Sequence, residues 1–150
     1  MHISYEQITS DSEIRGRMTI VAGKMQGDGW AARLLEKEDV ALPTTAEALT
    51  VRKIQWKGKP ALVVGGYDNK GLMYALLDVA NRIGWSDDPS APFRYVEDVS
   101  SAPDIKERGL AMYTMNRAYW ESRFYSEDFW TQYFDMMAQN RFNMLEILFG

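Results

Sequence analysis

Residues 61–77 read ALVVGGYDNKGLMYALL and join an apolar run, a glycine-containing turn and a helical repeat. The run at 61–64 has no polar member, as in a strand that is covered on both faces. After the turn, apolar residues recur at helical spacing over 72–83. Asp68 is placed as the N-cap of this helix, and Gly84 is placed to end it. A strand that passes through a short turn into an amphipathic helix is typical of α/β proteins.

The residues on either side of this stretch predict further elements by their periodicity. They are a strand over 17–23, a helix over about 30–37 with Asp28 as its cap, a hairpin with arms 47–57 and 60–66, and a strand over 93–99. At 100–104 the sequence SSAPD has the composition of a linker, which predicts a domain boundary. We therefore expect an N-terminal α+β domain over 1–100 and a second region over 101–150.

The second region has the order strand, helix, strand. Residues 109–114 predict the first strand and 143–150 the last. Between them Ser126 caps a helix with an acidic first turn. The apolar stripe of this helix is Phe129, Trp130, Tyr133, Phe134 and Met137. Adjacent parallel strands need cover on both faces, so the region either packs onto the first domain or begins a longer polypeptide, and we favour the second.

The composition excludes several classes of protein. The 150 residues are 46% hydrophobic and 25% charged, as in soluble globular domains. A net charge of −4 without a basic run argues against a nucleic-acid partner. No apolar stretch approaches the roughly 18 residues of a membrane span, so we expect no membrane partner.

The residue types also limit the chemistry. The chain has no cysteine, and His2 is the only histidine. Cys-ligated zinc, an HExxH site and a His-based triad are therefore excluded, and we expect no metal and no cofactor. The first residues lack the basic and apolar regions of a signal peptide, and the compartment stays open.

The turn at 65–71 has the position of a phosphate-binding loop, because it follows a strand and opens a helix. It does not match the dinucleotide fingerprint GxGxxG, and Leu72-Met73 stands where the phosphate-loop motif has Lys-Ser/Thr. We favour a tight turn before a capped helix, and a nucleotide-binding enzyme is the alternative.

Polar and aromatic residues at 113–120 lie at the carboxyl end of the first strand of the second region. In α/β barrels this end of the strands carries the active site. Asn, Arg, Tyr and Trp suit sugars, since polar groups bind the hydroxyls and an aromatic face covers the ring. An Arg in a surface ion pair beside packed aromatic rings is the alternative.

Glu146 lies inside an apolar strand. A buried carboxylate costs several kcal/mol unless it is paired. Glu146 is therefore either paired with a buried group such as an Arg or directed at a ligand.

Three short motifs resemble one group of carbohydrate enzymes. They are Arg108-Gly109-Leu110 in the first strand, Asn116-Arg117-Ala118-Tyr119 after it, and DMMAQNRFNML at 135–145. These motifs are similar to the start of the catalytic (β/α)8 barrel in family-20-like glycoside hydrolases, the β-N-acetylhexosaminidases. Relatives that act on α-glucuronides and α-N-acetylglucosaminides are similar too. Residues 63–77 look like the end of the small α/β domain that precedes this barrel, a sheet with helices on one face.

The resemblance implies both a fold and a function. The fold is a small N-terminal α+β domain followed by the first βαβ unit of a (β/α)8 barrel. The function is that of the N-terminal accessory portion of a glycoside hydrolase, inactive by itself, because the family's catalytic carboxylates lie on later strands. Carbohydrate would then be bound through the complete barrel, and we name no catalytic residue in this chain.

The resemblance also implies four substrate-binding candidates. The family has a sugar-binding Arg just after the first barrel strand, and Arg117 is the nearest match. An offset of one residue relative to Arg108 leaves Asn116 as the alternative. Tyr113 stands where the family has an Asp, and Glu146 lies on the strand where it tends to have histidines. These departures favour a branch of the group other than the N-acetylhexosaminidases.

A second hypothesis makes the chain a self-contained binding or interaction domain that uses its aromatic-rich C-terminal segment. If the aromatic stripe of the second region is exposed, it forms a patch that is unusual for a monomer. Self-association through those residues is then expected.

Overall fold

The described chain contains strands and helices in both of its halves. A computed structural model describes residues 18–149, and the chain divides into unit 1, Met1–Pro103, and unit 2, Asp104–Gly150. Each unit has its own sheet and its own helices, so the predicted mixed α/β class is confirmed. Within the described residues, no helix combines the length and the apolar character that crossing a membrane requires.

Unit 1 is built on a four-stranded sheet of order β1-β3-β2-β4. Its elements are β1 (Thr19–Lys24), α1 (Trp30–Lys37), β2 (Leu49–Trp56), β3 (Lys59–Gly66), α2 (Asn69–Gly84) and β4 (Val99–Ser101). β1 is parallel to β3, whereas β2 is antiparallel to both of its neighbours. The predicted hairpin is β2–β3, and its turn residues Lys57 and Gly58 have φ of 51° and 75°. Positive φ at both positions is what a two-residue type I′ turn requires.

The helices of unit 1 lie on opposite faces of the sheet, so the expectation of helices on one face is wrong. Val63 packs in one core cluster with Leu35 of α1, whereas Leu62 packs in another with Ala75 of α2. The physical reason lies in β3. Successive residues of a strand point to opposite faces, and all of 61–64 are apolar and at most 2% exposed. Both faces of β3 therefore need a helix.

Two local predictions in unit 1 are wrong. Gly29 rather than Asp28 is the N-cap of α1, so no side chain at the N-cap position caps this helix. Residues 92–95 form turns, residues 96–98 have no regular secondary structure, and β4 begins only at Val99. Val96 is fully buried in the core cluster that includes Ala75, so the apolar residues of this segment anchor a loop.

Unit 2 contains two adjacent parallel strands joined by helices. Its elements are β5 (Gly109–Tyr113), α3 (Arg117–Phe124), α4 (Glu127–Gln139) and β6 (Met144–Leu148). The Ser126 hydroxyl caps α4 by accepting a hydrogen bond from the Phe129 amide at 3.3 Å. The predicted order of strand, capped helix and strand is therefore present, and α3 is an additional helix that the sequence analysis did not predict.

Candidate functional site

One face of the β5–β6 sheet is exposed. Met112 is 5% exposed and Leu110 is half-buried, whereas their neighbour Ala111 is exposed. Residues that alternate along a strand lie on opposite faces. Leu110 and Met112 therefore share one face of the sheet, which is the more buried one. We call the opposite face, which carries Ala111, Tyr113, Met144 and Glu146, the open face.

The open face brings together two of the four substrate-binding candidates. Tyr113 ends β5, and its side chain is 61% exposed. Glu146 lies on β6 level with Ala111, and Tyr113 is level with Leu148, so Tyr113 and Glu146 are diagonal neighbours. Glu146 is exposed, so the alternative of a buried ion pair is wrong. Its carboxylate needs no partner inside the protein to offset a loss of hydration.

The other two candidates follow β5 at its carboxyl end. Asn116 is the N-cap of α3, and its Oδ1 accepts a hydrogen bond from the Tyr119 amide at 3.2 Å. This bond gives Asn116 a local structural role that the sequence analysis missed along with the helix. Arg117 is the first residue of α3, and its side chain lies outside the described residues.

A second set of interactions joins the amino-terminal ends of β5 and β6. Asn143 Oδ1 accepts a hydrogen bond from the Arg108 amide at 2.9 Å, and Asn143 Nδ2 donates to the Lys106 carbonyl at 2.8 Å. Arg108 Nε donates to the Arg141 carbonyl at 2.8 Å. Two of the residues that carry the family resemblance therefore hold the strand ends together. They lie at the opposite end of the sheet from Tyr113.

The aromatic residues of α3 and α4 form a cluster around Trp130. Its ring centroid lies 5.7 Å from that of Phe124, 5.3 Å from that of Phe129 and 5.7 Å from that of Phe134. Trp130 Nε1 also donates to the Phe124 carbonyl at 2.8 Å. The predicted stripe is only partly exposed, because Met137 is 5% and Phe134 is 51% exposed. Packing thus uses the centre of the cluster and leaves its rim in solvent.

The turn at 65–71 is closed by the protein's own carboxylate. Asp68 accepts hydrogen bonds from the Gly71 amide at 2.8 Å and from the Glu47 amide at 3.0 Å. Burial raises the pKa of Asp68, but the amides of Gly71, Glu47 and Lys70 and the charge of Lys70 outweigh it, so the pKa lies below its usual value. The position that a phosphate would take at a helix N-terminus is therefore occupied by Asp68.

The glycines of this turn serve backbone packing. A Cβ on Gly66 would collide with the backbone of Leu72, and one on Gly71 with the carbonyl oxygen of Ala48. These close contacts are sufficient to explain why glycine stands at both positions, and no bound ligand is needed to explain it. The nucleotide-binding alternative thus loses the only feature that suggested it.

Among residues 18–149, no group of three or more His, Cys, Asp and Glu side chains is placed to hold a metal ion. Comparison with protein-family models gives no match to this chain, and comparison with curated proteins gives none either. The case for a site therefore depends on the open face and on the residues at the carboxyl end of β5.

Proposed function

We propose that the chain is the N-terminal portion of a carbohydrate-active glycoside hydrolase and is inactive by itself. In this proposal β5, the helices and β6 are the first strand–helix–strand unit of a (β/α)8 barrel. Sugar binds at the carboxyl ends of the strands in the complete barrel, and the catalytic carboxylates come from strands beyond β6.

One observation carries the proposal. β5 and β6 are parallel neighbours joined by helices, one face of the pair carries the buried Met112, and the open face presents Tyr113 and Glu146. The strands of a barrel also have two different faces, since helices cover the outer face and the side chains of the inner face fill the interior. An aromatic ring and a carboxylate side by side suit a sugar, because the ring covers the apolar side and the carboxylate accepts hydroxyl protons.

The test is an NMR titration of the chain with N-acetylglucosamine, glucose and glucuronate. We expect shifts of the Tyr113, Asn116 and Glu146 amides with a dissociation constant of about 1 mM or weaker, near −4 kcal/mol, because much of the binding site is absent. Tyr113→Ala and Glu146→Gln should each reduce these shifts. The chain should hydrolyse no glycoside.

Matched controls come from unit 1. Tyr95 is 42% exposed and the Glu97 side chain is 78% exposed, so Tyr95→Ala and Glu97→Gln make the same chemical changes in unit 1. They should leave the titration unchanged. If no sugar shifts the open-face amides at high millimolar concentration, the assignment of Tyr113, Asn116 and Glu146 to sugar binding is wrong. Hydrolysis of a glycoside by the chain alone would contradict the proposal that the chain is inactive by itself.

A second candidate function is that of an interaction domain which self-associates through α3 and α4. The observation in its favour is the exposed rim of the aromatic cluster, where Tyr119 is 52%, Tyr125 83% and Phe134 51% exposed. Burying such rings is favourable by about 25 cal/mol per Å² of apolar surface.

Sedimentation velocity over a range of protein concentrations tests this candidate. Self-association should weaken in Tyr125→Ser and Phe134→Ser. It should persist in Trp85→Ser, which changes an aromatic residue of unit 1 that is 61% exposed. A monomer at every concentration would rule the candidate out.

A further inference from the structure

We draw no further inference here: the strongest candidate, the crevice at the carboxyl ends of β1 and β3 where α1 and α2 leave the sheet on opposite faces, rests on the N-terminus of α2, which the Asp68 carboxylate already caps, and no second observation among the described residues points to a ligand there.

Discussion

Asp68 joins two segments of unit 1 through a single carboxylate, since it caps α2 and also accepts the Glu47 amide. We expect Asp68→Ala to lower the free energy of unfolding by about 0.5–2 kcal/mol, the range for loss of an N-cap. Asp68→Asn should cost less, because its amide oxygen can still accept one of the two bonds. Urea denaturation at pH 7 measures both changes. Asp87→Ala, at an exposed aspartate in the loop after α2, is the control and should have little effect.

The same carboxylate makes the stability of unit 1 depend on pH. The pKa of Asp68 in the folded chain lies below its usual 3.8. The ionised carboxylate therefore stabilises the fold fully at pH values above the pKa that Asp68 has in the unfolded chain. This contribution is lost as the pH falls through the folded value. The stability difference between wild type and Asp68→Asn should therefore be largest near pH 7 and shrink below about pH 4. A difference that stays constant down to pH 3 would contradict this role.

Two glycines of α2 should respond in opposite directions to the same substitution. Gly71→Ala would drive a Cβ against the Ala48 carbonyl oxygen, and we expect it to destabilise the fold by about 1–3 kcal/mol, as overpacking does. Gly84→Ala adds a Cβ that meets no atom within 4 Å. It should stabilise the helix by up to about 1 kcal/mol, because alanine has the higher helix propensity. Thermal unfolding followed by circular dichroism measures both, and equal effects of the same sign would contradict the packing argument.

At the scale of elements, the hydrogen bonds of Asn143 set where β5 and β6 start together. Asn143→Ala leaves the Arg108 amide and the Lys106 carbonyl without these partners. We expect a loss of about 1 kcal/mol, because one of these bonds is part-buried and the other is exposed. It should appear as faster hydrogen exchange of the β5 and β6 amides. Asn140→Ala is the control, because among residues 18–149 the Asn140 side chain bonds to the Met136 carbonyl in the last turn of its own helix. Equal acceleration in the two variants would contradict the role of Asn143.

Periodicity predicted most of the elements, and it failed where side chains serve two purposes. β3 and α2 were predicted correctly because four apolar residues in a row followed by a helical repeat are compatible with few other secondary structures. α3 was missed because Asn116 was assigned to sugar binding, although it equally suits an N-cap. The segment around Val96 was predicted as a strand because a buried apolar residue can anchor a loop as well as a strand.

The candidate site was predictable only in its position along the chain. The sequence placed Tyr113 and Asn116 at the carboxyl end of a strand, but it could not reveal which face of β6 carries Glu146 or whether that face is covered. The family resemblance implied helices on one face of the first sheet, whereas the apolar run at 61–64 required cover on both. Where the two disagreed, the physical argument from the residues was correct.

The two units differ in how many of their side chains are buried. Many side chains of unit 1 are buried, whereas Met112 and Met137 are the only buried ones among the described residues of unit 2. Parallel strands are normally covered on both faces, and segments with few buried contacts open most readily. We therefore expect the β5 amides to exchange at least roughly tenfold faster than those of β1.

β1 is the matched comparison, because it is also an edge strand that pairs in parallel with one neighbour among the described residues. A difference in hydrogen exchange between the amides of β1 and β5 therefore shows how well the faces of each sheet are covered, since both strands lie at an edge. Protection of β5 equal to that of β1 at every protein concentration would mean that the open face is covered within the chain, and the proposed barrel start would lose its main support. Protection that rises with protein concentration would instead favour self-association. Fast exchange of β5 at all concentrations is the result that the barrel proposal requires, because its open face is covered only when further strands complete the barrel.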